Sequence, residues 1–322
     1  MVVNFIGNFS ASMTGEIGDE SHLALEIEAL GCEVRRLPRD QWRDYVIEGK
    51  QLPNITDLKA DFNLIAKWNG FGNGSFASAL REQSGAPVLY WVWDYMQGED
   101  WHMEMVKASD LYLGNDVFSG KYEGLKNCYY FPFDVASKEF DRLETETSNY
   151  IRDVAFFGSW VNQGDRQEWL QKINKEIPIT IFSWNYQDWP KEFIDTHPAV
   201  YGKDFVLEVA KTKICLGFSV NPNTWGYWSN RVGKTLSVGG FLLYQYAPGM
   251  ELFLRDGIVY FNSPKEAIDK IWYYLTHDEE RIKISERGYQ IGRKRFTSQA
   301  RVKDLLILAE RFIKKGNSVW NL

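Results

Sequence analysis

Arg231 and Lys234 stand three residues apart inside the stretch WGYWSNRVGKTLSVGGFLL, residues 225–243. A polar loop precedes them, Gly239 and Gly240 follow, and an apolar strand closes the run. A guanidinium grips phosphate oxygens as a bidentate fork, and the unpaired N–H groups of a helix start favour negative charge. The chemistry on offer is the binding of an anion, phosphate above all. Ser229 or Asn230 is expected to cap a helix over Val232–Val238, with the glycine pair as its stop. An ordinary helix–strand junction with two solvated charges would spell the same letters. Only its place in the fold separates the two readings.

Other residue types narrow the field. Aromatic residues make up 16% of the chain, with 13 Trp. Trp91, Trp93, Trp160, Trp184, Trp189, Trp225 and Trp228 fall at or near expected strand ends and loops. There a ring could stack on a sugar or base, and a bulky core is the competing use. Cys32, Cys128 and Cys215 are far apart and odd in number, which suits reduced thiols better than a disulfide framework. The histidines His22, His102, His197 and His277 show no ligand spacing, so no metal site is expected. Apolar content of 44% and charged content of 25% fit a globular chain. No apolar run approaches the ~18 residues of a membrane span, and a cytoplasmic setting is expected. The net charge of −6 is uneven: residues 281–322 carry eleven Lys/Arg against three Asp/Glu, the rest a large acidic excess. Such a basic end suits the solvated side of terminal helices, or contact with nucleic acid or an anionic membrane.

Elements that could position these residues follow from the apolar runs. Strands are expected at Val2–Ile6, Glu33–Leu37, Phe62–Lys67, Val88–Trp93, Leu111–Gly114 and Cys128–Phe131, with a helix from Asp19 to Leu30. A polar segment, Pro132–Tyr150, reads as a linker, after which the pattern restarts. Strands are then expected at Asp153–Phe157, Ile179–Phe182, Ile214–Ser219 and Gly257–Phe261. Helices are expected at Arg166–Lys175, Gly202–Thr212, Pro264–His277 and Arg301–Lys314. Alternation of this kind gives βαβ units and a mostly parallel sheet in each half. The fold class expected is α/β, two Rossmann-like domains facing across a cleft. An N-terminal domain over 1–145, a C-terminal domain over 146–300 and a final helix over 301–322, able to cross back to the first domain, complete the plan. Ligands of open parallel sheets sit beyond the carboxyl ends of strands. The loops Gly7–Gly18, Gly158–Arg166 and Asn221–Arg231 fall there.

The ordered pieces of the second half resemble the CgeB-like (spore-maturation type) group 1 glycosyltransferases of GT-B fold. They are DVAFFGSW at 153–160, Arg166 opening a helix, KTKICLGFSVN at 211–221, WSNRVGKTLSVGGFLL at 228–243, the run 246–290, and FTSQARV at 296–302. The first half is compatible through IGNFSASMTGEIGDESHLALEIEALGCEV at 6–34. The resemblance implies a nucleotide-sugar donor, UDP-, GDP- or similar, held by the C-terminal domain without a bound metal or other cofactor. It places Arg231 on the diphosphate, with Ser229, Asn230 and Lys234 beside it. Gly158, Ser159 and Arg166 would line the neighbouring loop, and Trp184 and Asn221 would lie along the base and ribose. Many relatives carry a glutamate where this chain has Lys234, and a His–Arg pair where it has only Arg301.

A general base, if the reaction inverts the anomeric centre, is sought among Asp94, His22 and Glu20. Glu20, like Asp19, equally suits the first turn of a helix, and His22 a satisfied core position. The function implied is a metal-independent hexosyl- or pentosyltransferase acting on a glycan, protein or small-molecule acceptor. Three alternatives stand beside it: a phage-type DNA glycosyltransferase acting on a hydroxymethylated base, a nucleotide-sugar epimerase or hydrolase, and a non-catalytic sugar-nucleotide binding module. An NAD-dependent oxidoreductase is disfavoured, because the first loop lacks the GxGxxG spacing.

Overall fold

The computed structural model describes residues 1–9, 19–39, 58–66, 74–93, 100–132, 140–143, 150–161 and 165–314. The chain divides into two compact units, Met1–Phe133 together with Ser298–Leu322, and Asp134–Thr297. Asp94 and most of the Gly7–Gly18 loop lie outside the described residues.

The first unit contains β1 (Val2–Gly7), α1 (Asp19–Ala29), β2 (Glu33–Pro38), β3 (Phe62–Ala66), α2 (Gly74–Ser84), β4 (Val88–Val92), α3 (Asp100–Ala108), β5 (Leu111–Gly114) and β6 (Cys128–Tyr130). These six strands form one sheet in the order β2-β1-β3-β4-β5-β6, and every pairing is parallel. Strands β3, β4 and β5 are buried at every position. Their unbroken apolar runs suit a parallel sheet covered on both faces, where alternation would waste one side. The edge strand β2 has no fully buried residue. The last helix, described below, belongs to this unit and packs on α1.

The second unit contains β7 (Arg152–Phe157), α4 (Arg166–Glu176), β8 (Thr180–Ser183), β9 (Thr196–Pro198), α5 (Gly202–Ala210), β10 (Thr212–Gly217), α6 (Arg231–Ser237), β11 (Leu242–Gln245), α7 (Met250–Leu254), β12 (Val259–Phe261), α8 (Pro264–Thr276) and α9 (Asp278–Arg295). The sheet order is β12-β11-β10-β7-β8-β9, again parallel throughout. Counted along this half, the strands run 6-5-4-1-2-3, the doubly wound order of dinucleotide-binding folds. Its direction of winding reverses between β7 and β10, and the crevice at that reversal is where ligands settle.

The local reasons are visible. Helix α8 starts on a capping box: the Ser263 hydroxyl accepts from the Glu266 N–H, and the Glu266 carboxylate accepts from the Asn262 N–H. Pro264 fills its first turn, where the missing N–H costs nothing. Helix α6 ends at Gly239, whose φ of 81° is the left-handed geometry a C-terminal stop requires. Gly240 has no room for a side chain, since a Cβ there would lie 2.6 Å from Val209 and 2.7 Å from Thr235.

The final helix, α10 (Ser298–Lys314), buries Val302, Leu305, Leu306, Ala309 and Phe312 of the expected stripe. Ile313 is instead exposed. Strand β9 and helices α2, α3, α7 and α9 were not among the elements named from sequence. Helix α9 carries mostly polar residues, so its apolar stripe is too thin to read. Among its cations, Arg281, Arg287 and Arg293 each pair with a carboxylate, of Asp278, Asp256 and Asp141 respectively. In α10, Arg301 and Lys314 pair with Asp304 and Glu310. Three of the eleven cations of the C-terminal segment, Arg281, Arg287 and Arg293, are thus paired with carboxylates from outside it.

Candidate functional site

Glycine and aromatic residues shape the carboxyl end of the second sheet. Strand β7 ends on Phe156 and Phe157, then turns at Gly158, where a Cβ would sit 2.5 Å from the Phe156 ring. Only glycine lets the chain leave the strand there. The Phe157 ring stacks on Phe182 of β8 at 5.0 Å and 7°. His197 of β9 covers the other side of Phe182 at 5.3 Å and 25°, and Phe205 meets Phe157 edge-on. The imidazole Nε2 lies 2.7 Å from an Asp195 carboxylate oxygen. Burial pushes that carboxyl up, but hydrogen bonds from Thr180 and His197 outweigh it and hold it below the usual range.

The loops after β7 and β8 are locked together by one amide. Asn185 accepts from the Trp160 N–H at 3.0 Å and from the Ser183 hydroxyl at 2.7 Å, and donates to the Trp160 carbonyl at 3.0 Å. A cavity of about 190 Å³ opens beside them. Phe157, Gly158, Ser159, Phe182 and Trp184 form one wall, Ala199–Tyr201 another, and Asn230, Arg231 and Lys234 the third.

Two guanidinium groups serve this cavity. Arg231 opens α6 and lines it directly. Arg166 opens α4 behind it, 6% exposed, and donates to the Ser159 carbonyl at 3.0 Å. Burial, with the Arg231 charge added to it, pushes the Arg166 pKa down to about 10. Burial also lowers that of Arg231, while the phenols of Tyr244, Tyr227 and Tyr201 act against the shift. Both groups stay charged at neutral pH. Among the described residues neither has a carboxylate within ion-pair distance, and the Arg166 Nε is buried without a partner. Unmatched buried charge costs several kcal/mol, so the buried Arg166 with the half-buried Arg231 beside it calls for an anion.

The loop entering α6 is fixed before any ligand arrives. The Trp228 ring packs on Phe253 and Phe296. Trp225 packs on Phe253 and closes over Gly249, where a Cβ would lie 2.6 Å from the indole. The Tyr244 hydroxyl donates to the Phe218 carbonyl at 3.0 Å and accepts from the Ser229 N–H at 3.2 Å. Its ring crosses β10 over Gly217, where a Cβ would meet it at 2.3 Å. Tyr244 was not among the expected site residues. Its signal was a single hydroxyl at the carboxyl end of an apolar strand.

Of the expected binding residues, Gly158, Ser159, Trp184, Asn230, Arg231 and Lys234 line the one cavity. Arg166 braces it from behind. Ser229 neighbours it, its N–H bound to Tyr244. Asn221 does not line it; its N–H is turned to the Ser219 hydroxyl at 3.3 Å. Helix α6 spans Arg231–Ser237 and its N-cap, Asn230, makes no side-chain cap bond. The cap expected from Ser229 or Asn230 is therefore a backbone turn, and the anion-binding capacity rests on the side chains. Of the seven tryptophans, Trp184 alone lines the cavity and is 67% exposed. Trp91, Trp93, Trp189 and Trp228 are buried.

The acceptor-side candidates belong to the first unit. Glu20, buried on α1, lies against Gly7 at the carboxyl end of β1, its Cγ 3.0 Å from where a Gly7 Cβ would be. His22 is also buried. Asp94 lies outside the described residues. Among the described residues no group of three His, Cys, Asp or Glu side chains is arranged to hold a metal ion, and no helix is long and apolar enough to cross a membrane. The three cysteines are unbonded; Cys215 is buried and the other two half-buried.

Residues 166–307 match a family model described as "Glycosyl transferase-like". No curated protein sequence matches the chain. Solved structures match over nearly its whole length. Sucrose-phosphate synthase from Thermosynechococcus elongatus superposes with a TM-score of 0.68 at 10% identity, covering 98% of this chain and 100% of that one. Anabaena HepE in complex with UDP and glucose gives 0.64 at 12% identity, covering 97% and 100%. The BGT protein of phage T4, in complex with UDP-glucose, gives 0.59 at 15% identity, covering 96% and 99%. The fold is the two-Rossmann GT-B fold of these glycosyltransferases.

Proposed function

We propose that the protein transfers a sugar from a nucleotide-sugar donor to an acceptor hydroxyl, with the donor in the cavity of the second unit. The observation that carries this is the pair of guanidiniums, Arg166 and Arg231, without a carboxylate partner among the described residues, beside an aromatic-walled cavity at the β7–β10 reversal. A diphosphate needs two positive charges, and the exposed Trp184 ring at the wall suits the face of a base. The Glycosyl transferase-like match over 166–307 and the UDP-bound structural neighbours support the same reading. The CgeB-like subtype implied by the order of the motifs is part of it.

In the reaction, the bond from the anomeric carbon to the diphosphate oxygen breaks and a bond from the acceptor oxygen forms. Negative charge grows on the departing diphosphate, where Arg231 stabilises it more in the transition state than in the bound donor. Fixed cations do this without a metal ion, so activity should withstand a chelator. The acceptor proton goes to a base sought among Glu20, His22 and Asp94, or to solvent.

Calorimetry with UDP-, GDP-, ADP- and dTDP-glucose tests the reading. One series should bind, and Arg231→Ala should abolish that binding and cost about 2–4 kcal/mol of transition-state stabilisation. Absence of binding by all four would overturn it. Donor turnover without an acceptor would point to hydrolysis or epimerisation. Binding with no transfer to a broad acceptor array would point to a binding module.

A further inference from the structure

Part of the polar segment that reads as a linker is fastened to the supports of the donor cavity. Phe140 is 5% exposed, and its ring meets Phe205 of α5 edge-on at 5.8 Å. Phe205 lines the cavity and packs on Phe157. Helix α9 grips the same stretch of chain. Arg293 donates to the Phe140 carbonyl at 2.7 Å and pairs with Asp141 at 3.2 Å, and the Tyr289 hydroxyl donates to Asp141 at 2.9 Å. The Arg142 guanidinium lies 4.0 Å from the Tyr289 ring centre and pairs with Glu286 at 2.6 Å. A solvated linker would make none of these contacts.

The face of the Phe140 ring serves Lys234. The Lys234 Nζ stands over it, 5.0 Å from its centre, and the same side chain lines the cavity three residues along α6 from Arg231. A lysine stem is flexible, and freezing it as a ligand arrives subtracts from affinity. Contact with a ring face removes part of that cost in advance. A carboxylate would hold the ammonium too, but would also neutralise it. The ring leaves its charge for a ligand.

We propose that Phe140 is a positioning residue of the donor site. Its ring, fixed by the contacts of Phe140–Arg142 with α9, holds the Lys234 ammonium at the cavity wall, ready for a phosphate oxygen of the nucleotide. Phe140 is not on the cavity lining, so it acts through Lys234. This rests on the donor reading of the cavity given above.

The test is a double-mutant cycle read by calorimetry, with whichever of UDP-, GDP-, ADP- and dTDP-glucose the wild type binds. Phe140→Leu keeps an apolar side chain but has no ring face. It should weaken binding about fivefold, the size of one cation–π contact. In the Lys234→Gln background the same change should cost less than about twofold, because no ammonium is left for the ring to hold. Arg293→Gln, which frees the Phe140 carbonyl and Asp141 without altering the ring, should repeat the pattern. It carries the test if Phe140→Leu melts well below the wild type. Equal losses in both backgrounds would show that the ring only packs against Phe205, and the proposal fails while the donor site stands. Unchanged affinity in the variants with the lysine present overturns it as well. If the wild type binds none of the four nucleotides, the donor reading itself fails.

Discussion

Tyr244→Phe deletes one hydroxyl that holds the Phe218 carbonyl and the Ser229 N–H on either side of the cavity loop. The change leaves a buried carbonyl unpaired, so a loss of about 1–3 kcal/mol is expected in chemical denaturation. Nucleotide affinity should fall severalfold with it, because the Asn230–Arg231 approach loosens; unaltered affinity would show that the tryptophan anchors suffice. A second residue-level prediction concerns acid. His102 is fully buried in the first unit, its two ring nitrogens facing the Tyr90 and Tyr122 hydroxyls at 3.1 and 2.8 Å. Burial pushes its pKa down to about 4, the nearby Asp116 charge only partly offsetting it. The unfolded chain takes up a proton near pH 6.5 that the folded one refuses until about pH 4. Stability from this group is therefore whole above pH 6.5 and is lost as pH falls toward 4, by on the order of 3 kcal/mol. His102→Gln should flatten that slope in urea unfolding at pH 4–7, whatever its effect at neutral pH. At this scale the cations were legible: a guanidinium beside a loop–helix junction announces its chemistry by type. Tyr244 was not, because its partners lie far away in the chain and nothing local marks them.

Helix α6 owes its seat to α9 as much as to its own sequence. Gly288 and Gly292 stand four apart on α9 and face the other elements so closely that no side chain fits. A Cβ on Gly288 would lie 2.5 Å from the Gly257 carbonyl oxygen, and one on Gly292 would lie 2.8 Å from the Ser237 nitrogen. Both obstacles are backbone, so they cannot rotate away. Gly292→Ala should push α9 off α6, lower stability by about 1–3 kcal/mol and weaken nucleotide binding through the displaced Arg231. Thermal melting with calorimetry checks this, and destabilisation with intact affinity would show that α6 is held by the sheet alone. All the strands but β9 were readable in sequence because parallel strands are short apolar runs between breakers, a local signal; β9, Thr196–Pro198, is not apolar. Helix α9 was hidden because its buried face is two glycines, Ile284 and Arg281, which no apolar period would select.

In the whole molecule, every described residue assigned to the donor cavity comes from the second unit. Saturating nucleotide, at about a hundred times its Kd, should add about 2.7 kcal/mol to the stability of the state that binds it. Amide exchange should then slow around Phe157–Trp160, Phe182–Trp184 and Ser229–Lys234; equal slowing throughout the first sheet would argue against this placement. Sugar transfer should persist in excess EDTA, and its loss, restored by a divalent ion, would put a metal where we place fixed cations. The sequence alone settled the alternation of strands and helices, the restart after residue 150 and the α/β class. Each of these depends on neighbours within a few residues, and burial leaves its period in the letters. It also supplied Arg166 and Arg231 as candidates. What only the tertiary structure decided is that the two meet. Strand β10 inserts beside β7 although β8 and β9 come between them in the chain, and the winding of the sheet reverses there. That pairing depends on register and packing across the whole sheet, which no local pattern encodes. It brings two distant positive charges to one side of a cavity, with no acid between them among the described residues.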